Sequence, residues 1–137
     1  MRILEHIRQP GLRAWRAFEA PFDAAFGSAL NPLRHLGALA TGAFALLVAS
    51  GAVLFIVLDT SVQGAYGSIR ALSDWPWGSG RLLRGLHRYA ADLFVVAMAL
   101  HLVREWLHRH DGGVRRFAWY TGAALIGFVF VAAIGGF

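Results

Sequence analysis

Two histidines, His87 and His101, lie 14 residues apart in an otherwise apolar stretch of the sequence. A helix brings such positions to within about 40° of each other around its axis and about 21 Å apart along it. An arginine stands three residues outside each histidine, Arg84 before the first and Arg104 after the second. Neutral imidazole is a strong axial ligand for haem iron, and arginine binds carboxylates such as haem propionates in a bidentate fashion. The pattern therefore predicts two haem sites on one helix, one near each end.

Four glycines repeat the same spacing. Gly37 and Gly51 are 14 residues apart, as are Gly122 and Gly136. A flat macrocycle can lie against a helix only where no side chain projects, so the shared spacing favours two stacked haems between neighbouring helices. Two alternatives stay open. Glycines alone also suit close helix packing in a membrane, and a histidine in a membrane helix can instead ligate the magnesium of a chlorophyll.

The composition is typical of a membrane protein, with 57% hydrophobic residues and only 15% charged ones. Uncharged stretches of 24 residues between Arg34 and Asp59 and of 21 residues after Arg116 are each long enough for the roughly 20 residues that a bilayer core requires. The histidine segment is amphipathic, because Arg88 and Asp92 interrupt it, and the role of Asp92 is unexplained. We expect an all-α bundle of three transmembrane helices at about 32–58, 81–108 and 114–137.

The N-terminal 1–30 segment has apolar residues at three- and four-residue steps, which predicts an amphipathic helix at the membrane surface. These residues are Leu12, Trp15, Phe18, Phe22 and Phe26. Asn31 and Pro32 fit a helix start as N-cap and first residue, and they open the 31–137 transmembrane domain. We expect a loop at 59–80, where Pro and Gly prevent a long helix, and a tight turn at 109–113.

All 13 basic residues are arginine, and the net charge of +5 favours contact with a membrane surface over nucleic acid. Most arginines flank the N-terminus and the 109–116 loop, so both are expected to be cytoplasmic, in an integral protein of a bacterial inner membrane. No cleaved signal peptide is expected. The absence of cysteine from the sequence excludes disulfides, iron–sulfur ligation and covalent haem attachment on this chain.

The sequence resembles the N-terminal haem-binding part of cytochrome b and cytochrome b6, from the quinol-oxidising bc-type complexes. The resemblance rests on "NPLRHLGALATG" at 31–42, "ASG" ending at Gly51, "RGLHR" at 84–88, "HLVR" at 101–104, "WYTG" at 119–122, and Gly136. It implies that His87 ligates a low-potential b haem and His101 a high-potential one. It further implies that the four glycines accommodate the haems and that Arg84 and Arg104 contact the propionates.

The second histidine pair of that family lies on a fourth helix, beyond the residues that resemble it here. The family pattern is thus truncated or split after the third helix, and we expect another helix or chain to supply the opposing ligands. The resemblance implies an electron-transfer subunit of a membrane redox complex, not a complete enzyme alone, with quinone as a further ligand. His35 lies at the cytoplasmic edge, where we expect it to be solvated or in contact with lipid headgroups, and the alternative is that it lines a quinone pocket. A haem-free structural or assembly subunit and a chlorophyll-binding subunit are the alternatives.

Overall fold

The computed structural model describes residues 2–108 and 113–135, and all regular structure in these ranges is helical. The five α-helices are α1 (Arg2–Phe26), α2 (Leu36–Val57), α3 (Ala65–Ser73), α4 (Ser79–Leu107) and α5 (Gly113–Gly135), with 3₁₀ turns at Pro32–Arg34 and Pro76–Gly78. The predicted all-α class is confirmed, and α2, α4 and α5 occupy the three predicted spans. The predicted turn at 109–113 falls mostly outside the described residues.

Within the described ranges, α2 is the one helix that is both long and apolar enough to cross a membrane. The apolar part of α5, Phe117–Ala132, is shorter than that criterion requires. The 29 residues of α4 are long enough, but charged side chains such as Arg88 and Asp92 lower its hydropathy. Hydropathy and length therefore identify α2 as a membrane span, but they do not by themselves identify α4 and α5.

The start of α2 differs from the prediction. The Asn31 side chain accepts a hydrogen bond from the Leu33 amide at 2.9 Å, and this cap begins a 3₁₀ turn with Pro32 at its first position. His35 leaves helical geometry at φ −111°, and the α-helix begins at Leu36. Asn31 and Pro32 do start helical structure, but the span they were expected to open begins four residues later.

The predicted loop at 59–80 contains a helix that the sequence pattern did not reveal. The nine residues of α3 bury Leu72 completely, and α4 begins at Ser79, two residues earlier than expected. Gly80 permits this connection, because a Cβ at that position would run into the Leu72 carbonyl oxygen. Trp77 in the preceding 3₁₀ turn is fully exposed at φ 62°, a left-handed conformation that is uncommon for a bulky residue.

The chain divides into two compact units, and α2 and α4 contribute to both. Unit 1 comprises residues 1–39 and 96–137, and unit 2 comprises residues 40–95. In unit 1, α1 packs on the C-terminal end of α4 through a core of Trp15, Leu33, Leu36 and Leu107. The Arg8 Nε donates to the Leu107 carbonyl at 3.0 Å. The N-terminal helix is therefore docked on α4, where it satisfies one of the last carbonyls of that helix.

In unit 2, α2 packs against the first half of α4. The Phe44 and Phe94 rings lie 5.3 Å apart, and the small residues Ala40, Ala43 and Ala90 of these two helices are buried. Small side chains let two helix backbones approach closely. The short distance between the two helix backbones limits the space that is available to side chains of α4 that point toward α2.

The turn between α1 and α2 is held by the Asp23 carboxylate, which contacts the buried Asn31 and the exposed Arg34. The Asn31 Nδ2 donates to the Asp23 Oδ1 at 2.8 Å, and Arg34 pairs with the Asp23 Oδ2 at 3.0 Å. The hydrogen bond from Asn31 and then the one from Arg34 lower the pKa of Asp23 below its ordinary value of 3.8. A carboxyl whose pKa is lowered by folding stabilises the fold above its ordinary pKa, and this contribution is lost as the pH falls through the folded value.

Replacing Asp23 with Asn should therefore lower thermal stability near neutral pH. The difference from the parent should shrink as the pH falls below 3.8, because the parent carboxyl then protonates as well. Thermal unfolding in detergent across this pH range measures the effect. Asp74→Asn is the control, since Asp74 is exposed and forms no ion pair with any residue that the structure describes. A difference that did not change with pH would contradict the assignment.

Candidate functional site

The His101 ring in unit 1 lies directly against the backbone of α2. A Cβ built on Gly37 would be 3.2 Å from the His101 Cε1 and 3.5 Å from its Nε2. Within the described part of the chain, the two ring nitrogens of His101 form no hydrogen bond. The imidazole therefore occupies a space that exists only because position 37 has no side chain, and its nitrogens remain available as ligands.

The His87 ring in unit 2 has the same relation to Gly51, where a Cβ would be 3.0 Å from the His87 Cε1. The structure adds a polar partner that the sequence did not suggest. The Ser50 Oγ, which is buried, lies 3.0 Å from the His87 Nδ1. Each of the two histidine rings thus lies against one of the two α2 glycines, with a hydroxyl beside one of the rings.

The direction of the Ser50 bond follows from its other contacts. The hydroxyl has one hydrogen, and the Leu46 and Leu47 carbonyls of α2 both lie in reach as acceptors, at 2.7 and 3.1 Å, so we assign the hydrogen to this side. Its oxygen can then accept only from a protonated His87 Nδ1, which leaves Nε2 as the nitrogen with a free lone pair. A hydrogen bond of this kind at one ring nitrogen orients histidine ligands in metal sites.

The two arginines are held by different partners. The Arg104 Nε donates to the Glu19 Oε1 at 3.4 Å, and its Nη1 lies 3.9 Å from the Glu105 Oε1. The Arg84 side chain is exposed, and its Nη1 donates to the Ser73 Oγ at 3.2 Å. Each guanidinium has five N–H donors, so these contacts leave others able to bind an anion.

A cleft of about 180 Å³ opens beside His101 between α4 and α5. Gly122, Trp119 and Leu102 are among its lining residues. A Cβ on Gly122 would be 3.2 Å from the Leu102 Cδ2, so this glycine faces Leu102 and not a histidine ring. The cleft is smaller than the roughly 300–1,000 Å³ of typical ligand pockets, so a macrocycle would have to displace the His101 ring or Leu102. Gly136 lies outside the described residues.

These contacts are compatible with a haem. No group of three or more metal-ligating side chains occurs in the described ranges. A haem iron needs only one or two axial ligands from protein, because the porphyrin supplies the others. Single histidines, each facing a gap in a neighbouring backbone that a Cβ would fill, suit that requirement.

Two residues with polar roles were not identified from the sequence. Ser50 belongs to the quoted "ASG" motif, but only its glycine was assigned a role. Glu19 follows Trp15 by four residues on the apolar stripe of α1, and a carboxylate at such a position is a usable signal for a buried ion pair. Asp92 is exposed and forms no ion pair with the residues described, so its role stays unexplained.

The fold and these contacts define a class of protein, an all-helical chain with paired histidines of one helix set against glycines of its neighbour. The family model described as "Cytochrome b/b6/petB" matches residues 22–137. The chain therefore belongs to the cytochrome b/b6 family, a family of membrane-bound b-type cytochromes of electron transport.

Curated relatives agree with this assignment. Cytochrome b6 of Stigeoclonium helveticum is 29% identical over 96 residues, which cover 70% of this chain and 44% of the relative. Cytochrome b6 of Prochlorothrix hollandica is also 29% identical, with 70% of this chain and 43% of the relative covered. Cytochrome b6 of Bigelowiella natans is 28% identical, with coverage of 70% and 44%. The chain thus spans less than half the length of these relatives. No solved structure matches it significantly.

A side chain at Gly51 should force the His87 ring away from α2. We expect Gly51→Leu to cost about 1–3 kcal/mol of stability through overpacking. Gly42→Leu is the matched control on the same helix, because a Cβ there meets nothing within 4 Å. Thermal unfolding of both variants in detergent measures the difference. Equal stability of the two variants would show that the His87 ring does not depend on the space at Gly51.

Proposed function

We propose that this chain is a membrane-embedded b-type cytochrome subunit that carries electrons across the bilayer through two non-covalent haems. The observation that carries the proposal is that each α4 histidine ring lies against a glycine of α2. A Cβ added to Gly37 would be 3.2 Å from the His101 Cε1, and one added to Gly51 would be 3.0 Å from the His87 Cε1. Two contacts of one kind on the same pair of helices are hard to explain by helix packing alone. Family membership supplies independent support.

In this proposal, His87 and His101 are the axial ligands of two haem irons. The haem, when bound, supplies a one-electron redox centre. Ser50 would hold the His87 ring with Nε2 free. Gly37 and Gly51, together with Gly122 and Gly136 on the α5 side, would leave room for the macrocycles once the imidazole rings turned away from α2. Arg84 and Arg104 hold the propionates through charge-assisted hydrogen bonds.

The partners follow from the ligand count. Bis-histidine ligation would need two further histidines, which we propose come from another helix of the same complex or of a longer chain. Electrons would be exchanged with a quinone or with a partner redox subunit, so the chain is part of a membrane oxidoreductase and not an enzyme by itself. We place the N-terminus and the 109–116 loop in the cytoplasm, in keeping with the arginine distribution and a bacterial inner membrane.

Substitution of either histidine should remove one haem and leave the other. His87→Ala and His101→Ala are each expected to halve the b-haem content of membranes, because the two sites are too far apart to couple strongly. The pyridine haemochrome assay, with reduced-minus-oxidised spectra, measures the content. His35→Ala serves as control, since its exposed ring bonds the Ala29 carbonyl at 2.9 Å and lies against neither of the two α2 glycines. Parent membranes without b haem would favour the haem-free structural subunit.

Loss of the Ser50 hydroxyl should weaken only the site at His87. Ser50→Ala removes the acceptor at 3.0 Å from the His87 Nδ1, and outer partners of metal-bound histidines typically contribute about tenfold or more to affinity. Ser50→Thr retains a hydroxyl and should restore most of the retention. The rate of haem transfer to excess apomyoglobin is a suitable measurement. Identical rates for Ala and Thr variants would rule out the orienting role of Ser50.

A further inference from the structure

The carboxylate of Glu19 is buried on the face of α1 that packs against α4. Glu19 is only 7% exposed, and its Oε1 accepts hydrogen bonds from the Trp15 Nε1 at 2.7 Å and from the Arg104 Nε at 3.4 Å. A buried carboxylate is costly unless it is paired and hydrogen-bonded, and Glu19 has both kinds of partner. Its position before residue 22 lies outside the part of the chain that matches the family model.

The part of α1 that carries Glu19 is held against α4 by a buried core and a hydrogen bond. Trp15 belongs to the core that joins α1 to the end of α4, and Arg8 bonds the last carbonyl of that helix. The Arg104 guanidinium, by contrast, is on a long side chain with a high conformational entropy cost when it is fixed. A carboxylate that engages Nε fixes one edge of the guanidinium. Of the two terminal amino groups, Nη1 lies 3.9 Å from the exposed Glu105 carboxylate, and both retain N–H donors for a second anion.

The environments of the two arginines differ in charge. Arg104 is paired with a buried carboxylate, whereas Arg84 is held by the neutral hydroxyl of Ser73. A carboxylate with a side chain only 9% exposed is weakly screened by solvent, so its charge acts over the neighbouring site more strongly than a surface charge would. Any anion or redox centre near His101 therefore experiences an arginine that is partly neutralised, and one near His87 does not.

We propose that Glu19 is a positioning residue for Arg104, and that through it α1 sets the electrostatics of the His101 haem without affecting the His87 haem. This inference rests on the proposed haem-binding function. Glu19 holds the guanidinium one turn from His101, ready for a propionate, and its negative charge opposes the cation that favours the reduced iron. The N-terminal helix is then part of the redox site and not only a surface anchor.

Two substitutions of Glu19, each in membranes that contain the full chain, separate the effect of its charge from its effect on the position of Arg104. Glu19→Gln keeps an acceptor for Arg104 and removes the charge, so the midpoint potential of the His101 haem should rise while that of the His87 haem stays constant. Glu19→Ala removes the acceptor as well, and haem at His101 should be lost about tenfold faster. In the Arg104→Ala background, Glu19→Gln should shift the potential less, because Glu19 acts through Arg104.

Two control variants distinguish this role from simple loss of packing. Asp23→Asn removes the same charge from α1 without touching Arg104, and Leu12→Ala reduces the packing of α1 on α4 but keeps the hydrogen bonds of Glu19 to Trp15 and Arg104. Both should leave the His101 potential unchanged. An unchanged potential of the His101 haem in Glu19→Gln would overturn this inference but not the proposed function. So would an equal shift in either control variant, or an equal shift at the His87 haem. Parent membranes that lack b haem would overturn the proposed function together with it.

Discussion

The imidazole rings of α4 and the backbone of α2 meet where α2 has no side chain. A Cβ at Gly37 or Gly51 would stand 3.2 or 3.0 Å from a histidine ring carbon, closer than an ordinary van der Waals contact. The close approach requires a glycine on one helix and a histidine at the matching position of the other. Neither residue type has a packing advantage alone, since glycine weakens a helix and histidine is a polar group in an apolar segment.

The three buried polar residues of the described chain each secure one element of this arrangement. These residues are Glu19, Asn31 and Ser50. Asn31 caps the turn that leads into α2, Ser50 bonds the His87 ring, and Glu19 bonds Arg104. No buried polar side-chain atom in the described ranges lacks a hydrogen-bond partner. Each buried polar side chain thus fixes either the direction of a helix or the position of another side chain, and its hydrogen bonds offset the cost of burying it.

Much of this arrangement can be predicted from the sequence, because it depends on residue type and spacing along single helices. Equal separation of the two histidines and of Gly37 and Gly51 predicts matching positions on two neighbouring helices, but not that the rings themselves lie against the glycines. The amphipathic stripe predicts α1. The local start of α2 at Leu36 and the helix α3 could not be predicted, because they depend on one cap and on one buried leucine, Leu72. Gly122 was expected beside a haem, and a spacing argument cannot show that Leu102 lies against it.

The contacts that involve Ser50 and Glu19 were missed for a different reason. Each is a hydrogen bond between residues far apart in the sequence, 37 positions for Ser50 and His87 and 85 for Glu19 and Arg104. Periodicity reports which face of a helix a residue occupies, but it does not report what the neighbouring helix presents to that face. A serine that bonds its own helix and a serine that also bonds a histidine look the same in the sequence.

The division of the chain into a contiguous and a discontinuous unit has a consequence for biogenesis. Unit 2 is one uninterrupted segment, residues 40–95, and it contains His87 with both of its α2 partners. Unit 1 joins residues 1–39 to residues 96–137, so the contact of His101 with Gly37 cannot form until the ribosome has passed the end of α4. Because chains fold in units during synthesis from the N-terminus, the segment that carries the His87 contacts leaves the ribosome before the segment that carries His101. The two ends of α4 thus acquire their surroundings in a fixed temporal order.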